Sequence, residues 1–214
     1  MMEFYMTPGS CSTGIHILLE ELEQVFAANI INMPKGDHLT TEYKAINPKG
    51  TIPALKLDSG DVLTDFSAIA WWLASRHPKK RLLPQNQVDQ ARCLEIMNFV
   101  TSTLHGQGYT RIFAPEKYML RDDDLGQVKA KGLERVKSSF DVVAQYLTGC
   151  DGLVFDHLTI ADAALFYVEF WADRSDIQMP VVCEQHYQTM CTRPIVQQVL
   201  AEEGYRLNQG AQSL

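Results

Sequence analysis

A chain of 214 residues, 46% hydrophobic and 21% charged, has the composition of a globular protein with enough material for two small cores. Its formal net charge of −7 argues against nucleic acid as a partner, because such binding uses a basic surface to displace counterions from phosphates. No apolar stretch approaches the roughly 20 residues that cross a bilayer, so no membrane partner is expected.

The N-terminal run Met1-Met2-Glu3-Phe4-Tyr5 lacks the basic segment and long apolar stretch of a secretory leader. The five cysteines, Cys11, Cys93, Cys150, Cys183 and Cys191, are odd in number, scattered and without a Cys-x-x-Cys pair. Neither a disulfide framework nor a metal site is expected from them, and the expected compartment is the reducing cytoplasm.

In chain order, Phe4-Tyr5-Met6 reads as a short strand stopped by Thr7-Pro8-Gly9-Ser10. Ile15, Leu18, Leu19 and Leu22 then recur at helical spacing, which predicts a helix. Residues 28–33 read as a second strand, Pro34-Lys35-Gly36-Asp37 as a loop, and residues 41–46 as a short helix stopped at Asn47-Pro48-Lys49-Gly50. A hairpin follows, in which residues 52–57 and 62–64 flank the turn Asp58-Ser59-Gly60. Asp65 opens a helix on which Ile69, Trp72 and Leu73 share a face. The order βαβ then αββα predicts an α/β layer over residues 1–78, with an antiparallel hairpin beside a parallel pair.

After His77 the pattern changes. Residues 79–86, marked by Lys79, Lys80, Arg81 and Pro84, read as a linker, and residues 87–214 contain no convincing strand. One helix is expected from about residue 88 to past 105. Another carries Leu125, Val128, Val136, Phe140, Val143 and Leu147. Further helices are expected to start near Thr159, to cover residues 182–190, and to open at Pro194, where a missing N–H costs nothing.

Three runs can carry chemistry. Cys11 follows a strand and opens a helix, beside unpaired backbone N–H groups and the positive end of a helix dipole; both would lower a thiol pKa. A small buried filler is the competing reading for Cys11, and helix capping the competing reading for the neighbouring hydroxyls of Ser10 and Ser12. In Lys49-Gly50-Thr51-Ile52-Pro53-Ala54-Leu55, a proline starting a strand suits either a cis Ile52-Pro53 bond or a trans bond at an edge. The cis form would leave the Ile52 backbone open to an extended peptide. Thr64-Asp65-Phe66-Ser67 leads into a helix, as a carboxylate site or as an ordinary N-cap.

Taken together, Tyr5-Met6-Thr7-Pro8-Gly9-Ser10-Cys11-Ser12, Ile46 through Leu55, and Leu63-Thr64-Asp65-Phe66-Ser67-Ala68-Ile69 resemble the glutathione transferases. The similarity is greatest to the bacterial beta class, whose members carry a cysteine at the position of Cys11. Leu158-Thr159-Ile160-Ala161-Asp162-Ala163 resembles the helix-capping motif of that superfamily's second domain. The resemblance runs over essentially the whole chain and implies a thioredoxin-like domain that binds glutathione, followed by an all-helical domain that supplies the acceptor-substrate pocket.

Position by position, the resemblance implies that Cys11 and His105 lie near the glutathione sulfur and that Ile52, ahead of a cis Pro53, pairs with the cysteinyl backbone. It implies that Asp65, Phe66 and Ser67 meet the γ-glutamyl end and Lys35 the glycyl carboxylate. Tyr5 is the alternative hydroxyl, as used by other classes. Tyr109, Phe113, Tyr118 and Trp171 are the candidates for the acceptor pocket.

Two departures stand out. The family's usual glutamate and small residue are here Asp65 and Phe66, and the charged neighbours expected around His105 are here Thr103 and Gly106. The implied activity is glutathione-dependent attack on a small electrophile or a disulfide, with glutathione as co-substrate and no metal. A non-enzymatic ligand carrier and a dedicated glutathione-dependent isomerase or dehalogenase are the alternatives. A homodimer is expected, with Trp71 or Trp72, Met97 and Phe99 as candidates for the covered face.

Overall fold

The computed structural model describes residues 1–206, apart from the side chain of Asp122. Its first part contains β1 (Met2–Met6), α1 (Ser12–Glu21), β2 (Phe26–Ile30), α2 (Thr41–Ile46), β3 (Ala54–Lys56), β4 (Val62–Leu63) and α3 (Phe66–Arg76). The sheet order is β2-β1-β3-β4. β1 pairs in parallel with β2, placing Met6 opposite Ile30, and antiparallel with β3, placing Tyr5 opposite Ala54; β4 closes the hairpin on β3. This is the expected thioredoxin-like layer.

Two strand boundaries differ from expectation. β2 begins two residues before residue 28 and ends at Ile30, because the Asn32 N–H turns away to the Asp37 carboxylate at 2.9 Å. β3 begins only at Ala54, after a proline that has no N–H to give to the ladder.

Residues 79–86 are seated against the helical part: Leu82 is buried and its carbonyl accepts the Ile160 N–H at 3.0 Å. α4 (Gln87–Phe99) is capped by the Asn86 side chain, which accepts from the Asp89 N–H at 2.8 Å. It continues into a π-helical stretch, Val100–Tyr109, and then α5 (Thr110–Phe113). α6 (Leu125–Leu147), α7 (Ile160–Arg174), α8 (Val181–Thr192) and α9 (Pro194–Glu202) complete the described helices.

α7 is the hub. Every residue from Ile160 to Ala172 is buried, and the helix packs against α1, α4 and α8. Each fully buried Phe or Leu on it contributes about 1.5–3 kcal/mol of apolar burial. Its start is fixed by Asp162, whose Oδ2 accepts from both the N–H and the hydroxyl of Thr159 at 2.7 Å. Asp162 Oδ1 accepts the Val154 N–H at 2.8 Å and faces His186 Nε2 at 3.1 Å, while His186 Nδ1 meets Glu169 at 2.6 Å. Burial alone would discharge the His186 imidazole, but the two carboxylates overcome it and hold its pKa above the ordinary value.

α1 reaches α7 through Gly14. A Cβ there would come within 2.4 Å of the Ala163 carbonyl oxygen and 2.7 Å of the Phe66 ring. The absence of a side chain therefore sets how closely the first part and the helical part approach.

Candidate functional site

The turn from β1 into α1 carries Cys11 and is gripped from the helical part. Glu203, just past α9, accepts from the Gly9 N–H and the Thr13 hydroxyl, both at 2.7 Å. Trp171 of α7 donates its indole N–H to the Gly9 carbonyl at 2.7 Å. Gly9 sits at φ +71°, and a Cβ on it would collide with the Tyr205 hydroxyl, so glycine is required both for backbone angle and for space.

Cys11 is buried at the head of α1, and its Sγ donates to the Ile52 carbonyl at 3.6 Å. Burial pushes the thiol pKa up to about 12; the Cys11 and Ser12 backbone N–H groups oppose that rise and the Asp65 carboxylate adds to it. The expected low-pKa cysteine is thus corrected for the ligand-free protein. Desolvation outweighs the helix terminus here, and Cys11 rests as a neutral thiol.

The thiol borders a cleft of about 460 Å³. One wall is Thr51, Ile52, Pro53, Asp65, Phe66 and Ser67; the other is Thr101, Ser102 and His105 of the π-helical stretch with Tyr167 of α7. The Ile52–Pro53 bond is cis. Asp65 precedes α3 but makes no side-chain cap, which removes its bland reading. Its carboxylate instead meets Lys49 Nζ at 3.1 Å and accepts from the Thr51 hydroxyl at 3.3 Å. Phe66 heads α3, where first-turn N–H groups have no intrahelical partner. Its ring lies 5.3 Å from that of Tyr167, and Ser67 Oγ is 3.4 Å from Thr101 Oγ1.

His105 Nδ1 lies 3.2 Å from the Tyr167 hydroxyl, and its ring stands edge-on to Trp171 at 4.9 Å. Burial lowers its pKa to about 4, so the imidazole is neutral near pH 7. Burial also raises the Tyr167 phenol well above its ordinary value, and it stays protonated. The cleft therefore offers neutral hydrogen-bonding groups around the thiol and a charged pair, Lys49 with Asp65, at its rim.

The structure brings Cys11, His105, Ile52, Pro53, Asp65, Phe66 and Ser67 together. Other expected residues lie elsewhere. Lys35 is exposed in the loop after β2 and does not line the cleft. Tyr5 projects to the opposite sheet face, packed with Ile31, Tyr43 and Ala54, and donates to Glu3 at 2.7 Å. Ser10 and Ser12 close the turn on each other at 2.9 Å, with Ser10 donating to the Thr7 carbonyl.

The four acceptor-pocket candidates do not line the cleft either. Tyr109 is core, its hydroxyl donating to the Val168 carbonyl at 2.9 Å, and Trp171 is committed to Gly9. Phe113 stacks on Tyr109 at the surface, and Tyr118 donates to the Gly106 carbonyl at 3.1 Å. Sequence reasoning missed Thr51, Thr101, Ser102 and Tyr167, which line the cleft, and Lys49, which reaches it only through Asp65. Only Lys49 and Thr51 had a signal, as members of the Lys49–Leu55 run.

Residues 9–76 match the family model for the glutathione S-transferase N-terminal domain. Over 213 residues the chain is 32% identical to glutathione S-transferase GstA of Escherichia coli O157:H7, covering 96% of this chain and 100% of that one. The chain belongs to the glutathione S-transferase family. Among solved structures, a sphingomonad glutathione S-transferase complexed with glutathione is 27% identical at a TM-score of 0.79, covering 95% of this chain and all of that one. A bacterial beta class enzyme from Sphingomonas chungbukensis, 24% identical at a TM-score of 0.79 over 94% and 98% of the two chains, shares the fold. In this glutathione S-transferase the family match covers one wall of the cleft, and the helices beyond it supply the other. No helix among the described residues is long and apolar enough to cross a membrane.

Proposed function

We propose that the chain is a cytoplasmic glutathione-dependent transferase whose co-substrate lies in the cleft beside Cys11. The observation that carries this reading is the convergence, on one cleft of about 460 Å³, of a thiol, a strand-start carbonyl and a carboxylate heading a helix. The cysteinyl backbone of glutathione pairs with Ile52, and its γ-glutamyl end meets Asp65 and the first N–H groups of α3. Lys49, already 3.1 Å from Asp65, supplies the cation for the γ-glutamyl carboxylate in place of a hydroxyl at position 66. The glycyl carboxylate lies toward the open end of the cleft.

The bound sulfur then lies between the head of α1 and His105. Its thiolate attacks an electrophilic carbon and expels the leaving group with its electron pair, or attacks a disulfide sulfur and releases the other sulfur as a thiolate. The protein contributes orientation and N–H donors to the developing charge. His105, neutral and 3.2 Å from the Tyr167 hydroxyl, faces the sulfur without storing a proton.

Calorimetric titration with reduced glutathione, followed by parallel assays with a chloronitroarene and hydroxyethyl disulfide, tests this reading. Saturable binding with at least one turnover supports it. Failure to bind points to a carrier, and binding with neither turnover points to a dedicated isomerase or dehalogenase.

A homodimer belongs to the same proposal. Trp71 of α3 keeps more than a third of its surface exposed, while Trp72 is half-buried beneath Arg76 at 5.0 Å. A twofold partner covering Trp71 would remove that apolar surface from water. Light scattering at micromolar concentration should give twice the 24.2 kDa chain mass; a constant monomer mass would overturn the dimer.

A further inference from the structure

Away from the cleft, α1 and the end of α9 bring three potential ligands together. His16 and Glu20 stand one turn apart on α1, and Glu202 is the last residue of α9. One ligand atom from each lies within 4.8 Å of the other two. We propose that His16, Glu20 and Glu202 form a site for a divalent first-row transition cation, with Zn²⁺ as the probe.

The imidazole is the decisive group. His16 is more than nine-tenths buried, and its Nδ1 is engaged by Glu203 at 2.9 Å. Its Nε2 faces Glu202 Oε2 at 3.3 Å, an ion-pair distance that a bound cation would replace. The ring of a largely buried histidine thus turns its second nitrogen to a half-exposed carboxylate. The His16–Glu202 separation of 3.3 Å matches one edge of a tetrahedron whose metal bonds are about 2.0–2.1 Å long, and Glu20, within 4.8 Å, would swing in to close the face.

The surroundings orient these ligands as metal sites require. Glu203 fixes the ring through Nδ1, and is itself held by the Gly9 N–H and the Thr13 hydroxyl. Gln198 donates to Glu202 Oε1 at 2.9 Å and to Glu20 Oε2 at 3.3 Å, leaving Glu202 Oε2 toward His16. The nearby Arg193 is paired with Glu21 at 2.7 Å. Glu202 is half-exposed, which opens a path from solvent. One imidazole and two carboxylates suit zinc and its neighbours, with water completing the shell. A bound ion would pin α1, which starts at the Cys11 turn, to the end of α9.

The test is calorimetric titration of the chelator-treated full chain with Zn²⁺, in the wild type and in Glu202→Gln and Glu20→Gln, all checked for fold by circular dichroism. Co²⁺ absorption separates this site from the cysteines, because thiolate ligands add a near-ultraviolet charge-transfer band and nitrogen and oxygen ligands do not. The expected result is one equivalent bound without that band, a rise in melting temperature, and at least tenfold weaker binding in both variants. Glutathione affinity should be the same in all three proteins, which keeps this test independent of the cleft. Absence of zinc binding, binding unchanged in Glu202→Gln, or a thiolate band would overturn the site.

Discussion

The thiol of Cys11 donates to the backbone carbonyl of Ile52 across 3.6 Å. The group proposed to sit beside the glutathione sulfur is therefore tied to the group proposed to bind the cysteinyl backbone. With burial holding the pKa up at about 12, the ligand-free thiol should alkylate more slowly at pH 8 than a small free thiol does. Iodoacetamide kinetics measured across pH would show this, and a rate above that of the free thiol would contradict it. Cys11→Ala should lower hydroxyethyl disulfide turnover more than aromatic conjugation, because a thiol at this position adds a second route in which Cys11 takes one half of the disulfide as a mixed disulfide and releases the other half as a thiol.

His105 should make stability fall on the acid side. Its folded pKa of about 4 lies below the unfolded value near 6.5, so between those limits the unfolded chain binds a proton that the folded chain refuses. The contribution is present above the unfolded pKa and is lost as pH falls toward 4. It is roughly 3 kcal/mol in the limit, from the size of the shift. His105→Asn should flatten the fall in melting temperature from pH 7 to pH 4 relative to wild type. An unchanged slope would mean that the imidazole titrates freely.

Asp65 and Lys49 should matter together. Asp65→Asn keeps the shape but removes the charge that holds Lys49 at 3.1 Å, and glutathione affinity should drop about tenfold, the loss of one charged hydrogen bond. Lys49→Ala should weaken binding by a similar factor. A double variant no worse than either single one would show that the two act as a unit. Calorimetry on all three settles it, and full affinity in Asp65→Asn would dismiss the rim pair.

How much of this was legible beforehand depended on the kind of signal. The sheet topology followed from strand and helix periods, because β1 and its neighbours alternate and α1 repeats its leucines at helical spacing. Asp65 and Pro53 were legible because each sits in a short run whose residue types are tied to backbone geometry. The same alternation takes Tyr5 away from the cleft, since Phe4 and Met6 face the large core and put Tyr5 on the other side. Thr101 and Ser102 could not be foreseen. They reach the cleft through a π-helical stretch whose wider turn departs from the spacing that sequence patterns assume. Tyr167 lies on a helix buried on all sides, where periodicity names no special face.

Glu203 links the helical part to the Cys11 turn, so its loss should be felt in both. Its carboxylate meets the Gly9 N–H, the Thr13 hydroxyl and His16 at 2.7–2.9 Å, and its side chain is almost fully buried. Glu203→Gln leaves a single acceptor oxygen for these three groups and should cost about 2–3 kcal/mol in urea unfolding. The thiol should also become easier to alkylate as the turn loosens. Wild-type stability together with wild-type thiol reactivity would show that the grip is idle.

Two glycine substitutions should change stability in opposite directions. Alanine is favoured over glycine in a helix interior by about 1 kcal/mol, and Gly14→Ala and Gly126→Ala, both in the first turns of α1 and α6, start with a part of that gain. At Gly126 nothing lies within 4 Å of the new Cβ, and the gain should survive. At Gly14 the Cβ would stand 2.4 Å from a backbone oxygen of α7, which cannot rotate aside, and 2.7 Å from the Phe66 ring. Overpacking of that kind costs about 1–3 kcal/mol and pushes α1 away from α7. Gly14→Ala should therefore lower the urea midpoint and also weaken glutathione binding, since Phe66 lines the cleft. A Gly14→Ala protein as stable as Gly126→Ala would mean that α1 and α7 can separate without loss, and that the close approach at Gly14 does not fix the two walls of the cleft.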